Sequence, residues 1–266
     1  MDPTISILTP VYNGARFIER CVEHVSSHNI PGLEHVVIDG ASTDGTQDIL
    51  DNLSRNHPHL RFISEKDKGQ SDALNKGVRM AASDIIGILN ADDFYEKGAI
   101  ADGIAYLKRH PSVDFVTGDC VILWKDRAPY INRPKDLRLQ SLILGWQFAE
   151  YPCNPSAYFY RKSVHDRIGP YDVDDHYAMD VSFILACAAS IRMAYVPKHW
   201  GNFQCYPGTK TFEDKTNGTA RVNAIREHWK AKLTPIQNLD ASLIYHRKRL
   251  WRSLESMLTK RATFLS

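Results

Sequence analysis

The sequence predicts an α/β protein built on a mainly parallel, Rossmann-like sheet flanked by helices, with a helical extension at the C-terminus. Three observations carry this. Short β-branched runs at 5–9, 34–39, 60–64 and 85–90 alternate with helix-period segments about a dozen residues long, and crossovers of that length join parallel strands covered on both faces. Three of those runs stop at Asn, Asp and Gly clusters, as strands do where they emerge at a ligand-binding rim. The stretch from Asp240 to Lys260 sets apolar residues at helical spacing beside many basic ones.

In chain order, Ile5-Ser6-Ile7-Leu8-Thr9 alternates and stops at Pro10, giving strand one, and Val11-Tyr12-Asn13-Gly14 reads as a turn. A helix is expected from about Ala15 to Ser27, with Phe17, Ile18, Cys21, Val22 and Val25 on one face. Glu34 to Asp39 gives strand two, and Thr43 or Asp44 suits the cap of a helix carrying Ile49, Leu50 and Leu53. Leu60 to Ser64 is strand three, Gln70 to Ala82 the third helix and Ile85 to Asn90 strand four. Val113 to Asp119 and Val121 to Trp124 read as two further strands, followed by a turn at Lys125 to Pro129.

At 266 residues and 43% hydrophobic content, the chain has material for one large α/β domain or two small ones. Its formal charge of +2, from 33 basic and 31 acidic residues, is too small to announce a nucleic-acid binder, though it leaves room for a local basic patch, and no nucleic-acid partner is expected. The five cysteines, at 21, 120, 153, 187 and 205, are odd in number, far apart and without a CxxC pair, so reduced thiols of a cytoplasmic protein are expected. Met1-Asp2-Pro3-Thr4 is no basic leader, and no apolar run reaches the roughly 18 residues of a membrane span, so the expectation is a soluble protein or one peripheral to the inner face of a membrane.

Strand one ends at Tyr12-Asn13-Gly14, strand two at Asp39-Gly40-Ala41-Ser42-Thr43-Asp44-Gly45-Thr46, and strand four at Asn90-Ala91-Asp92-Asp93. In a parallel sheet these ends share one rim. Asp39 can accept hydrogen bonds from a nucleobase imide or a ribose hydroxyl, and the small residues after it let a ligand approach the backbone. Asp92 and Asp93 suit a hard divalent cation shared with substrate phosphates. Asp67, in the charged loop Glu65-Lys66-Asp67-Lys68-Gly69, is available to the same ligand. Each segment has a plainer reading: a capping turn at Asp39, caps at Asp92 and Asp93 for a helix starting near Glu96, and a solvated turn at 65–69. Their agreement on one rim favours the ligand. A calcium loop fits poorly, since its third and sixth positions would be Ala41 and Asp44, and no GxGxxG or GxxxxGK[ST] phosphate loop is present.

Thr9-Pro10-Val11-Tyr12-Asn13-Gly14, Asp39 to Thr46, Asp67-Lys-Gly-Gln-Ser-Asp-Ala-Leu-Asn-Lys-Gly77 and Leu89-Asn90-Ala91-Asp92-Asp93 together resemble the successive signatures of family 2 glycosyltransferases. The resemblance implies the GT-A fold and an inverting transfer from a nucleotide-diphosphate sugar, often UDP-linked, to a saccharide or lipid-linked acceptor in cell-surface polysaccharide or glycan synthesis. It also implies a divalent metal, Mn2+ or Mg2+, at an Asp-x-Asp-type motif. By position it lines the nucleoside pocket with Pro10, Tyr12, Asp39 and Asp67, makes Asp92 the metal-binding acid, and sets Asn13, Asn90, Ala91 and Asp93 at the donor beside them. Asn90 stands where many relatives have the first aspartate, which removes one charge from the metal site. The corresponding division is a nucleotide-sugar half at 1–112, an acceptor half at 113–212 and a helical extension at 213–266.

Within the second half, Asn154 to Asp172 and Tyr177 to Phe183 resemble the acceptor region of this family, where Asp180 takes the place of the general base. The chemistry asks for such a group, because a sugar hydroxyl attacking an anomeric carbon must lose its proton. Asp180 also reads as the N-cap of a helix over Val181 to Ala189, and Asp172, Asp174 and Asp175 are the alternative bases. Phe203 to Thr211 resembles a loop that often carries Arg and His before Pro-Gly; Gln204 and Tyr206 stand there instead, leaving Lys210 as the phosphate partner.

In the tail, Leu243, Ile244, Leu250, Trp251, Leu254, Met257 and Leu258 form the apolar set, against His246, Arg247, Lys248, Arg249, Arg252, Lys260 and Arg261. The expectation is a helix that packs its apolar stripe on the domain, with an interfacial helix drawn to anionic lipid as the second reading. Two other functions compete with transfer: a nucleotide-sugar binding module without catalysis, motivated by Asn90, Gln204 and Tyr206, and a nucleotidyltransferase, for which Tyr12-Asn13-Gly14-Ala15-Arg16 is a poor basic loop.

Overall fold

Ile5 and Ile7 on one side of the first strand and Leu8 on the other are all wholly buried, as in a strand covered on both faces. The computed structural model describes residues 4–175, 178–207 and 217–264, of which 217, 218 and 254–264 as backbone only. In it β1 (Ile5–Val11) lies between two parallel neighbours, β2 (Leu33–Asp39) and β4 (Ile85–Ile88), with β3 (Leu60–Ser64) parallel outside β2.

The crossovers are α1 (Ile18–Ser27), α2 (Thr46–Asn56) and α3 (Gln70–Met80), and α4 (Ala99–Arg109) follows the fourth strand. Alternation along the strands sorts the core into two layers. Ile5, Ile7 and Ile85 pack with Cys21 and Val25 of α1 and Ile100, Ile104 and Leu107 of α4, whereas Leu8, Val36, Ile38 and Ile86 pack with Leu74 and Val78 of α3.

The second half adds β5 (Phe94–Tyr95), β6 (Phe115–Trp124), β7 (Tyr130–Asn132), β8 (Tyr158–Arg161) and β9 (Met193–Cys205), giving the order β3-β2-β1-β4-β8-β6-β9-β5 with β7 paired to β6. The sheet is parallel through its N-terminal half and becomes mixed where β8 enters antiparallel to β4. Its helices are α5 (Leu139–Leu142), α6 (Val164–Ile168), α7 (Met179–Ser190), α8 (Asn217–Ala231) and α9 (Pro235–Phe264).

Four expectations change. The two strands foreseen at 113–124 are one, β6, because Gly118-Asp119 produces a bulge against β9 rather than a break. The helix foreseen near Glu96 begins at Ala99 after Gly98, whose φ of +85° suits glycine, so Asp92 and Asp93 cap nothing. Asp180 is not a cap either: the N-cap of α7 is Ala178, and the Asp175 carboxylate accepts the Ala178 N–H at 2.8 Å. In the tail, Ile244 is buried with Ala241, but Leu243, Leu250 and Trp251 are more than 60% exposed, so the stripe does not pack as one unit. Leu254, Met257 and Leu258 have side chains outside the described residues.

α4 approaches the sheet through Gly103, where an added Cβ would fall 2.2 Å from the Phe159 ring. Gly103→Ala therefore overpacks the core and should cost about 1–3 kcal/mol, read as a lower urea midpoint at unchanged slope. An unshifted midpoint would mean that α4 is free to slide outward.

Candidate active site at the strand ends

The loops after β1 and β2 are cross-linked by polar contacts. Asn13 adopts φ +50°, a left-handed conformation that Asn tolerates, and its N–H donates to Ser42 Oγ at 2.7 Å while its Oδ1 accepts the Thr43 N–H at 2.9 Å. Gly14 N–H donates to Thr46 Oγ1 at 3.0 Å and Ala15 N–H to Asp44 Oδ2 at 3.0 Å. The Thr46 hydroxyl, followed by the backbone N–H groups of Ala15 and Thr46, holds the Asp44 carboxyl below its usual range. Tyr12 projects from this cross-linked turn, 65% exposed, and Pro10 lies just inside it, half-buried.

Asp39 is fully covered. Its carboxylate accepts from the Ser42 N–H at 3.1 Å, from Ser42 Oγ and from Ser64 Oγ at 2.5 Å, so it braces the turn, and a ligand donor must share its remaining lone pairs. Asp67 closes the same corner. Gly69 N–H donates to its Oδ1 at 2.8 Å, and a Cβ at Gly40 would lie 2.8 Å from its Oδ2, so glycine at 40 is what lets that carboxylate sit against the chain.

At the end of β4 the two adjacent aspartates point opposite ways. Asp93 turns inward, 2% exposed, and accepts from Asn90 Nδ2 at 3.0 Å, Asn154 Nδ2 at 2.8 Å and the Gln204 N–H at 3.0 Å. Burial first, then the Asp92 charge, pushes its carboxyl up to about 7. Asp92 stays half-buried at the rim, its carbonyl held by Gln204 Nε2 at 2.8 Å and by Arg20 at 3.3 Å, its Oδ2 accepting from the Tyr206 hydroxyl at 3.1 Å. Asn90 and Ala91 lie beside it, half-buried, with Asn90 Oδ1 accepting from Gln70 at 3.1 Å.

Asp180 sits half-buried in the first turn of α7, where its charge adds to the upward push that burial gives the Tyr158 and Tyr171 phenols. The segment before it is fastened to α3. Asn75 donates to the Tyr171 carbonyl at 2.9 Å and accepts its N–H at 2.8 Å, and Ser71 Oγ donates to Met179 Sδ at 3.1 Å.

Thus Pro10 and Asp39 lie at the ends of β1 and β2, Tyr12, Asn13, Asp67, Asn90, Ala91 and Asp92 on the loops that follow the strands, Asp93 is beneath them, and Lys210 is outside the described residues. Arg20, Asn75 and Asn154 complete the site without having been singled out. Asn154 carried one signal, an Asn-Pro-Ser start to a short helix: its Oδ1 accepts from Ser156 N–H at 2.8 Å, which turns its amide nitrogen toward Asp93. Among the described residues no three His, Cys, Asp or Glu side chains gather to hold a metal by themselves.

The family model described as glycosyl transferase family 2 matches residues 6–169. The chain is 44% identical over 98 residues to chondroitin synthase of Escherichia coli, a match covering 37% of this chain and 14% of that protein. It is 30% identical over 187 residues to a PGL/p-HBAD biosynthesis glycosyltransferase of Mycobacterium bovis, covering 70% of each. Among solved structures, S. aureus TarS 1-349 in complex with UDP-GlcNAc aligns with a TM-score of 0.64 at 19% identity, over 84% of this chain and 66% of that one. The mannosyltransferase PcManGT from Pyrobaculum calidifontis, in complex with GDP-Man and Mn2+, aligns at 0.60 and 20% identity, over 99% and 87%. These likenesses establish a shared architecture, the GT-A fold.

Removing one donor from the buried carboxylate tests the centre of this arrangement. Asn154→Ala should destabilise the protein by about 1–3 kcal/mol, because a buried charge loses a partner that water does not replace. A thermal melt matching the wild type would mean that Asp93 is not what holds the rim together.

Proposed function

This chain belongs to glycosyl transferase family 2, and on that premise we propose that it moves a sugar from a nucleotide-diphosphate donor, UDP-linked, to a hydroxyl of a saccharide or glycolipid acceptor with inversion, in cell-surface polysaccharide or glycan synthesis. The observation that carries this is the rim itself: a cross-linked turn, two braced aspartates and an outward Asp92 gathered at the ends of β1, β2, β3 and β4. In this reading Asp39 and Asp67 take the nucleoside, with Pro10 and Tyr12 as its apolar and aromatic walls. Asn13, Asn90 and Ala91 border the diphosphate and sugar, and Lys210 is its cationic partner.

The donor set at Asp92 fits a hard cation of the Mn2+ or Mg2+ kind, which takes one or two carboxylates and completes its shell from substrate phosphate. Asp92 would supply one carboxylate, and Asn90, whose Oδ1 also accepts from Gln70, would offer an amide oxygen in place of a second. When bound, such an ion neutralises charge developing on the departing diphosphate. Asp93, 2% exposed, serves the donor in this reading from beneath, by fixing the chain so that Asp92 faces it.

Asp180 is the general base. The acceptor oxygen bonds to the anomeric carbon as the bond from that carbon to the diphosphate oxygen breaks, and the hydroxyl proton passes to the Asp180 carboxylate. One displacement inverts the centre without an enzyme-bound sugar. Family membership disfavours the nucleotidyltransferase alternative.

Two measurements test the reading. Calorimetry with UDP and GDP, with and without Mn2+ or Mg2+, should show tighter binding with metal and a preference for UDP; Asp92→Ala should abolish the metal enhancement and Asp39→Ala weaken nucleoside binding at any metal concentration. Equal affinity for both nucleotides in chelator and in metal would sink it. Asp180→Asn should lower transfer by about 10² to 10⁴ while donor affinity holds, and wild-type turnover in that variant would move the base to Asp172, Asp174 or Asp175.

A further inference from the structure

α9 has two faces of opposite character. On one, Ala241 and Ile244 are buried, the Tyr245 ring meets Phe148 at 4.9 Å, Lys248 donates to the Phe148 carbonyl, Arg252 lies over the Phe148 ring at 5.7 Å, and Asp240 pairs with Arg138 at 3.5 Å. On the other, Ile236, Leu239, Leu243 and Leu250 are 81%, 63%, 61% and 66% exposed. At about 100° per residue these four positions fall within roughly 60° of arc, a straight stripe facing away from the domain. Single exposed aliphatic residues are ordinary; four in register are not.

The charge around the stripe has one sign. From Pro235 to Ser253 the helix carries Arg247, Lys248, Arg249 and Arg252 against Asp240 alone, and that acid is already paired with Arg138. Arg247 and Arg249 are exposed and flank the stripe on opposite sides by helical spacing. A second copy of the chain is a poor occupant, because its own stripe brings the same arginines and no free acid from this segment to meet them. A bilayer with anionic headgroups meets both demands, taking the apolar side chains into its interface and the arginines at its surface. No described helix is long and apolar enough to cross a membrane, so the contact is in-plane.

We propose that α9 seats this protein on an anionic lipid bilayer, with Ile236, Leu239, Leu243 and Leu250 in the interface and Arg247 and Arg249 on the headgroups. This is independent of the transfer reaction and its test needs no sugar donor.

The test is sedimentation of the full 266-residue chain with phosphatidylcholine vesicles with and without phosphatidylglycerol, alongside Leu243→Ser/Leu250→Ser and Arg247→Ala/Arg249→Ala. Both pairs lie off the packed face, and circular dichroism and melting temperature confirm that the variants fold. The wild type should bind only the phosphatidylglycerol vesicles and be released by high salt, and each double variant should lose about tenfold or more. Absence of wild-type binding, or variants that bind like the wild type, overturns the proposal. So does sedimentation velocity showing a dimer that Leu243→Ser/Leu250→Ser disperses, which would assign the stripe to a second copy.

Discussion

The rim is built around a carboxylate carried into the interior at the end of β4. Burying Asp93 costs solvation, and the cost is offset by three donors, Asn90 beside it and, from far along the chain, Asn154 before β8 and the backbone of Gln204 in β9. Because Asn154 and Gln204 come from the second half of the chain, the carboxylate acts as a fastening between the parallel half of the sheet and the mixed half. The next residue back then has little choice. Its carbonyl is held by Arg20 and Gln204 and its Oδ2 by the Tyr206 hydroxyl, which keep the Asp92 side chain at the rim.

The nucleoside side of the site is fastened by a different device. Its loops contain few apolar groups, so their shape comes from short polar links between Asn13, Ser42, Thr43, Asp44 and Thr46, each worth about 1 kcal/mol and effective as a set. Such a corner is ordered before any ligand arrives, and the entropy of arranging it is not charged to binding.

Much of this was legible in the sequence, and for local reasons. Strand three matched at both ends because its period and its punctuation lie within five residues, and the strand-end motifs were visible because a parallel sheet brings such ends together without further information. What was not legible depends on distance. Asn154 and Gln204 lie 61 and 111 residues from Asp93, and nothing in Asn90-Ala91-Asp92-Asp93 says which of two adjacent carboxylates faces in. The tail shows the same limit on a helix: Leu243 and Ile244 are neighbours in an apolar set, yet 100° apart, so one packs and the other does not. At Gly118-Asp119 a pause in alternation was read as an end, whereas pairing with β9 carried the strand through it.

The clamp from Asn75 to Tyr171 has a consequence for how such proteins are recombined. A hybrid made by joining the first 112 residues of one family member to the remainder of another would leave the two halves of that clamp in different parents. The amide at 75 reads only the backbone of residue 171, so it demands that the loop return to the same height above α3, while the buried ring at 171 must also find its place in the core. Interchange of acceptor-side segments is thus limited both by the loop length between β8 and α7 and by what packs around the Tyr171 ring, which stacks on Phe183 at 4.8 Å.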